Sequence, residues 1–144
     1  MLRPLLLAVL AAVLLTGATA AWAATRTLDA TAELKTTKRD GLRATQRGDL
    51  DARPFGKGRL VLRTFIQKGK VNATFTAVIG NSTVKGTAFG TVEIKKRIKY
   101  SGTARITGGS GRFKKAKARS LKFTGDGPLN GRSTRVTLSG RISY

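Results

Sequence analysis

From Lys70 to the C-terminus, apolar and polar residues alternate with a period of two, and glycine or short polar runs break the alternation at regular intervals. Between Lys70 and Ile79, Val71, Ala73, Phe75, Ala77 and Ile79 share one face while Lys70, Asn72, Thr74 and Thr76 share the other; only Val78 breaks the pattern. From Ser82 to Ile94 the inner set is Val84, Gly86, Ala88, Gly90, Val92 and Ile94, with Phe89 an apolar exception on the outer side. Ile98, Tyr100, Gly102, Ala104 and Ile106 form the next inner set, and Val136, Leu138, Gly140, Ile142 and Tyr144 the last. Earlier strands are weaker: Leu28, Ala30, Ala32 and Leu34; then Leu42, Ala44, Leu50 and Ala52; then Leu60, Leu62 and Ile66. Leu121 and Phe123 mark a short seventh strand. Helical periodicity is missing after the first two dozen residues, so the pattern predicts an all-β antiparallel meander of about eight strands.

The turns fix the register, because residues flanking a two-residue hairpin loop share a face of the sheet. Gly80-Asn81 suits a type II′ turn and pairs Ile79 with Ser82; Lys68-Gly69 pairs Gln67 with Lys70 on the outer face. The bend at Lys95 to Arg97 has to hold three residues, since only then does inner Ile94 meet inner Ile98. Glycine and alanine gather at inner positions, which permits the tight curvature of a closed barrel. An eight-stranded barrel is just wide enough to be filled by side chains or to admit one small ligand. Small inner residues favour some cavity, with Gln46, Tyr100 and Tyr144 as polar contacts at inner parity.

The N-terminus changes the compartment. Arg3, the apolar run Leu5 to Leu15 and the small residues after it resemble a secretion signal over residues 1–23, cut after Ala23, or alternatively after Ala20. An uncleaved anchor is the alternative. Residues 24–144 then form one barrel domain, of a size for a single core. With no cysteine anywhere, packing and sheet hydrogen bonds must supply its stability. The expected location is secreted or cell envelope, in a bacterial host.

Charge changes the expected partner. The chain carries 28 Lys and Arg against 7 Asp and Glu, and losing Arg3 with the leader leaves 27 against 7. From Lys95 to Arg119 there is no acid, and Lys95, Lys96, Arg97, Lys99, Arg112, Lys114, Lys115, Lys117 and Arg119 are candidates for a polyanion-binding segment. Such self-repulsion costs stability unless an anionic surface or polymer screens it. Anionic envelope polymers, lipid head groups and extracellular nucleic acid all fit. Base-specific recognition does not, because Phe55, Phe65, Phe75, Phe89, Phe113 and Phe123 are scattered and offer no visible stacking platform.

Catalytic chemistry is sparse. Without His or Cys the commonest general base, the usual transition-metal ligands and the thiol nucleophile are missing. Asp29, Glu33, Asp49, Asp51 and Glu93 fall on outer positions and Asp40 and Asp126 in turns, so no interior carboxylate pair is available. The expectation leans against an enzyme, and no cofactor or metal is implied. The run Gly108-Gly109-Ser110-Gly111-Arg112-Phe113 matches neither a dinucleotide fingerprint nor a Walker loop, and reads instead as a tight bend with Phe113 folded back as an apolar plug.

Residues 102–118, GTARITGGSGRFKKAKA, resemble the GGTGxFxxAxG signature of the dirigent proteins and the wider allene oxide cyclase-like barrel group. Gly108, Gly109, Gly111, Phe113 and Ala116 fall on the motif, Ser110 replaces its Thr, and Ala118 departs from its final Gly. The resemblance implies an eight-stranded antiparallel barrel, often oligomeric, with a hydrophobic pocket at one end. Dirigent proteins guide radical coupling with acidic and aromatic pocket residues, and no carboxylate here has a matching inward position. The motif therefore points to architecture. The functional expectation is a secreted, non-enzymatic barrel that binds anionic envelope polymers or lipid head groups through its outer face. Small apolar ligand binding in the lumen is the first alternative, and a dirigent-like or isomerase activity the second.

Overall fold

A sheet with one apolar face must cover it, and a meander long enough to reach its own first strand can do so by closing. In the computed structural model, which describes residues 24–144, the chain does this; the leader expected over residues 1–23 and its cleavage point lie outside the described residues. Eight antiparallel strands run in sequence order: β1 Thr25–Asp40, β2 Arg43–Arg53, β3 Gly56–Gln67, β4 Lys70–Ile79, β5 Ser82–Ile94, β6 Ile98–Ser110, β7 Ala118–Gly127 and β8 Ser133–Ser143. β1 pairs with β8 from Thr25↔Ser143 to Lys35↔Ser133, which closes the barrel and leaves no free edge.

The turns set the expected registers residue by residue. Ile79 pairs with Ser82, Gln67 with Lys70, and Ile94 with Ile98 across the three-residue bend. Lys68 and Gly69 both take positive φ, as a type I′ turn requires, while at Gly80-Asn81 only the glycine does. Two assignments change. Leu42 is 56% exposed in the β1–β2 turn rather than on the inner face of a strand, because Asp40 and Arg43 already pair across it. The seventh strand runs ten residues, and Asp126 lies within it instead of in a turn. Gly125 and Gly127 supply inner positions there that carry no apolar side chain to announce them.

The interior is a continuous apolar cluster from all eight strands, with Phe113, Leu34, Leu121 and Ile142 among its most enclosed side chains. Each fully buried side chain of that kind contributes about 1.5–3 kcal/mol. All 27 Lys and Arg of residues 24–144 are exposed. This polarity, apolar inside and charged outside, is the inverse of a membrane-spanning barrel.

The small inner residues do not leave the lumen open. Three inner glycines sit opposite a large side chain that leans over them, Phe75 over Gly86, Tyr100 over Gly125 and Leu121 over Gly140, while Gly90 and Gly102 face each other across β5 and β6. A Cβ on Gly125 would come within 2.8 Å of the Tyr100 ring, and one on Gly140 within 2.8 Å of Leu121. Glycine thus makes room for its neighbour. What remains is an apolar cavity of about 60 Å³ lined by residues such as Ala30, Leu62, Phe75 and Val136.

Candidate functional site

The two ends of the barrel are closed by different chemistry. At the end where Ala24 meets Tyr144, Gly111–Phe113 form a single 3₁₀ turn that drives Phe113 into the core with no exposed surface. Phe55 meets Phe113 edge-on at 5.1 Å between ring centres and Tyr144 at 5.0 Å, an arrangement aromatic pairs favour. Ser82 Oγ accepts the backbone N–H of Arg112 at 3.1 Å, and the Arg112 guanidinium lies 4.9 Å over the Phe113 ring while donating to the Phe55 carbonyl at 2.6 Å. Gly111 takes φ +60°, and Gly109 leaves no space for a Cβ between Thr83 and Phe113 backbone oxygens. Ala116 is buried beside the plug, whereas Gly108 faces open space. The glycine-rich motif is therefore the bend that carries an apolar plug.

At the opposite end the closure is polar. Gln46 is buried, and its amide donates to Thr134 Oγ1 at 2.8 Å and to Thr36 Oγ1 at 3.2 Å; Thr36 in turn donates to the Gly131 carbonyl at 2.6 Å. A bulge between Thr36 and Lys38 shifts the register so that Arg39 pairs with inner Ala44 and reaches the Gly131 carbonyl at 3.4 Å. Tyr100 is half-buried nearby; burial pushes its phenol above the ordinary tyrosine range, and the Arg39 charge partly offsets this. Gln46, Tyr100 and Tyr144 do not meet in a lumen. Gln46 and Tyr100 belong to this end, Tyr144 to the aromatic plug, and none of them lines the interior cavity. At about 60 Å³ that cavity is well below the ~150 Å³ at which an apolar cavity admits benzene.

The basic run is also divided by the fold. Lys95, Lys96, Arg97 and Lys99 sit at the polar end, and Arg112, Lys114, Lys115, Lys117 and Arg119 at the plug end, with thirteen-residue β6 between them. A strand of that length spans roughly 40 Å, so the two groups are separate patches. Four ion pairs form among the described residues, all exposed: Lys95–Glu93 at 2.8 Å, Arg97–Asp126 at 2.7 Å, Arg135–Glu33 at 3.1 Å and Arg53–Asp51 at 3.7 Å. The Lys95 partnership holds the Glu93 carboxyl below its usual range and the ammonium above its own. Most cations are free of such partners and present their charge outward.

One outer surface brings together residues that the sequence shows far apart. Arg43 pairs with Phe65, Phe65 with Asn72, and Asn72 with Phe89, so β2 to β5 carry one cross-strand row. The adjacent row reads Thr45, Arg63, Thr74 and Thr87. Phe89 is 50% exposed and Phe65 half-buried, with Arg43 stacked 5.0 Å over its ring. Together with Lys38 and Asp40 these residues line a groove of about 600 Å³. Scattered in sequence, Phe65 and Phe89 thus share one outer row.

No family model matches the chain, and no curated protein matches its sequence. A solved structure of a pyocyanin demethylase is similar to it at 13% identity and a TM-score of 0.39, over 81% of this chain and 100% of that one. A likeness this distant carries no argument about what the chain does.

Proposed function

We propose that this protein is a secreted, non-enzymatic β-barrel that binds anionic polymers of the cell envelope through its outer face, anionic lipid head groups offering the same phosphate chemistry. One observation carries this: all 27 cations of residues 24–144 are exposed, against 7 acids, four of which already hold an ion pair. A field of that sign attracts polyanions over several ångströms and gains counterion-release free energy on contact. The resemblance of residues 108–118 to the dirigent and allene oxide cyclase signature supports placing the barrel in that structural group, with its motif serving the Phe113 plug. Radical guidance or isomerisation has no support from inward carboxylates, because all seven acids lie on outer positions or at turns.

Flotation with vesicles tests the proposal. At low salt the protein is expected to float with vesicles containing anionic lipid, to stay behind with zwitterionic ones, and to be stripped from the former by soluble teichoic-acid-like polyphosphate. Equal recovery with both vesicle types, or none with either and no binding to the polyphosphate, overturns it.

A further inference from the structure

We infer that the groove across β2 to β5 is a binding site for single-stranded nucleic acid, with bases stacking on Phe65 and Phe89 and phosphates meeting Arg43, Arg63 and Lys38. This rests on the polyanion-binding proposal for its charge and adds the class of polymer. Outward positions on the strands of this barrel are otherwise dominated by Thr, Lys and Arg, so two phenylalanines in one outer row are an expense in exposed apolar surface. The row places them two strands apart, roughly 10 Å by the usual strand spacing, with Asn72 between them to meet a base edge.

The remaining lining suits the same ligand. The Arg43 guanidinium lies over the Phe65 ring, so at this end of the row a base stacks on the guanidinium plane or takes its place on the ring, with the same cation at hand for the neighbouring phosphate. Arg63 continues the charge in the second row, and Thr45, Thr74 and Thr87 add hydroxyls along it. Asp40 is the single acid of the groove; it lies at the β1–β2 turn, paired in register with Arg43. Phenylalanine offers a π-face and no hydrogen-bonding handle. Flat bases use such a face whatever their sequence, whereas a lipid head group gains little from it; an anionic polysaccharide, whose sugar rings can also pack C–H groups on an aromatic face, is the competing ligand of the test. Charge and stacking surface together are what distinguish a groove for single strands from a general cationic face.

The test compares three labelled probes at one salt concentration, an oligothymidylate, an abasic sugar–phosphate strand of equal length and a soluble anionic polysaccharide, against the full chain. Wild type is expected to bind the oligothymidylate more tightly. Phe65→Ala and Phe89→Ala are each expected to weaken oligothymidylate binding by roughly 5- to 150-fold and to leave the abasic strand unchanged. Phe65→Leu and Phe89→Leu, which keep apolar cover and the fold, are expected to show the same selective loss. Equal affinity of wild type for both strands, equal losses on both, or tight binding only to a soluble anionic polysaccharide overturns the inference while leaving polyanion binding intact. Failure to bind any of the three overturns both.

Discussion

Replacing Phe113 with alanine is expected to cost about 3–5 kcal/mol, read as a fall in the urea midpoint at unchanged slope. The ring is completely enclosed and is gripped from three directions: Phe55 edge-on at 5.1 Å, Tyr144 tilted at 6.1 Å, and the Arg112 guanidinium at 4.9 Å. Its removal leaves a void that the short 3₁₀ turn is poorly placed to fill, since backbone bonds from Lys114 to Gly111 and Ala116 to Phe113 fix the loop. It also joins the new void to the existing cavity, which Phe113 helps to line. Phe89→Ala makes the control: half of that side chain is already in water, so a loss under about 1 kcal/mol is expected. Similar losses for the two variants would mean that the plug is not part of the core.

Phe75→Asp is expected to leave the protein largely unfolded at neutral pH, a loss of at least ~4 kcal/mol, whereas Thr74→Asp stays within about 0.5 kcal/mol of wild type. Phe75 is 8% exposed, and every Lys and Arg of residues 24–144 lies outside, so a carboxylate there finds no counter-charge. The substitution also strips the ring that covers Gly86. One residue earlier the side chain points outward, opposite Arg63 on β3, where an acid is tolerated or mildly favourable. Circular dichroism and urea unfolding of the two variants check this. Comparable stability would invalidate the assignment of inner and outer faces.

Strand faces and hairpin registers were legible because period-two alternation and turn geometry constrain each other: the pairs Ile79–Ser82 and Gln67–Lys70 leave one register for β3, β4 and β5. Those same registers put Phe65 opposite Asn72 and Asn72 opposite Phe89, so the groove row was written in the sequence but hidden by reading each strand alone. What alternation could not convey was the bulge near Thr37, which turns Arg39 toward the polar end, or the glycine-only inner positions that extend β7. Nor could it show that some inner glycines lie beneath large cross-strand neighbours, as Gly86 does under Phe75 and Gly125 under Tyr100, so that the interior apolar cavity is only about 60 Å³. The basic run misled for a related reason. Neighbours in sequence along an extended strand drift apart by about 3.4 Å per residue, so β6 carries the two halves of the cluster to opposite ends.

Electrostatic attachment of the outer face to polyanions is measured most directly by the salt dependence of affinity for duplex DNA. Duplex DNA serves as a probe of known charge spacing, with its bases stacked out of reach of the groove. If about four phosphates are contacted, affinity is expected to fall roughly a hundredfold between about 50 and 200 mM salt, linearly on logarithmic axes. A flat dependence, or binding that cannot be detected even at the lowest salt, would contradict a functional role for the exposed cations.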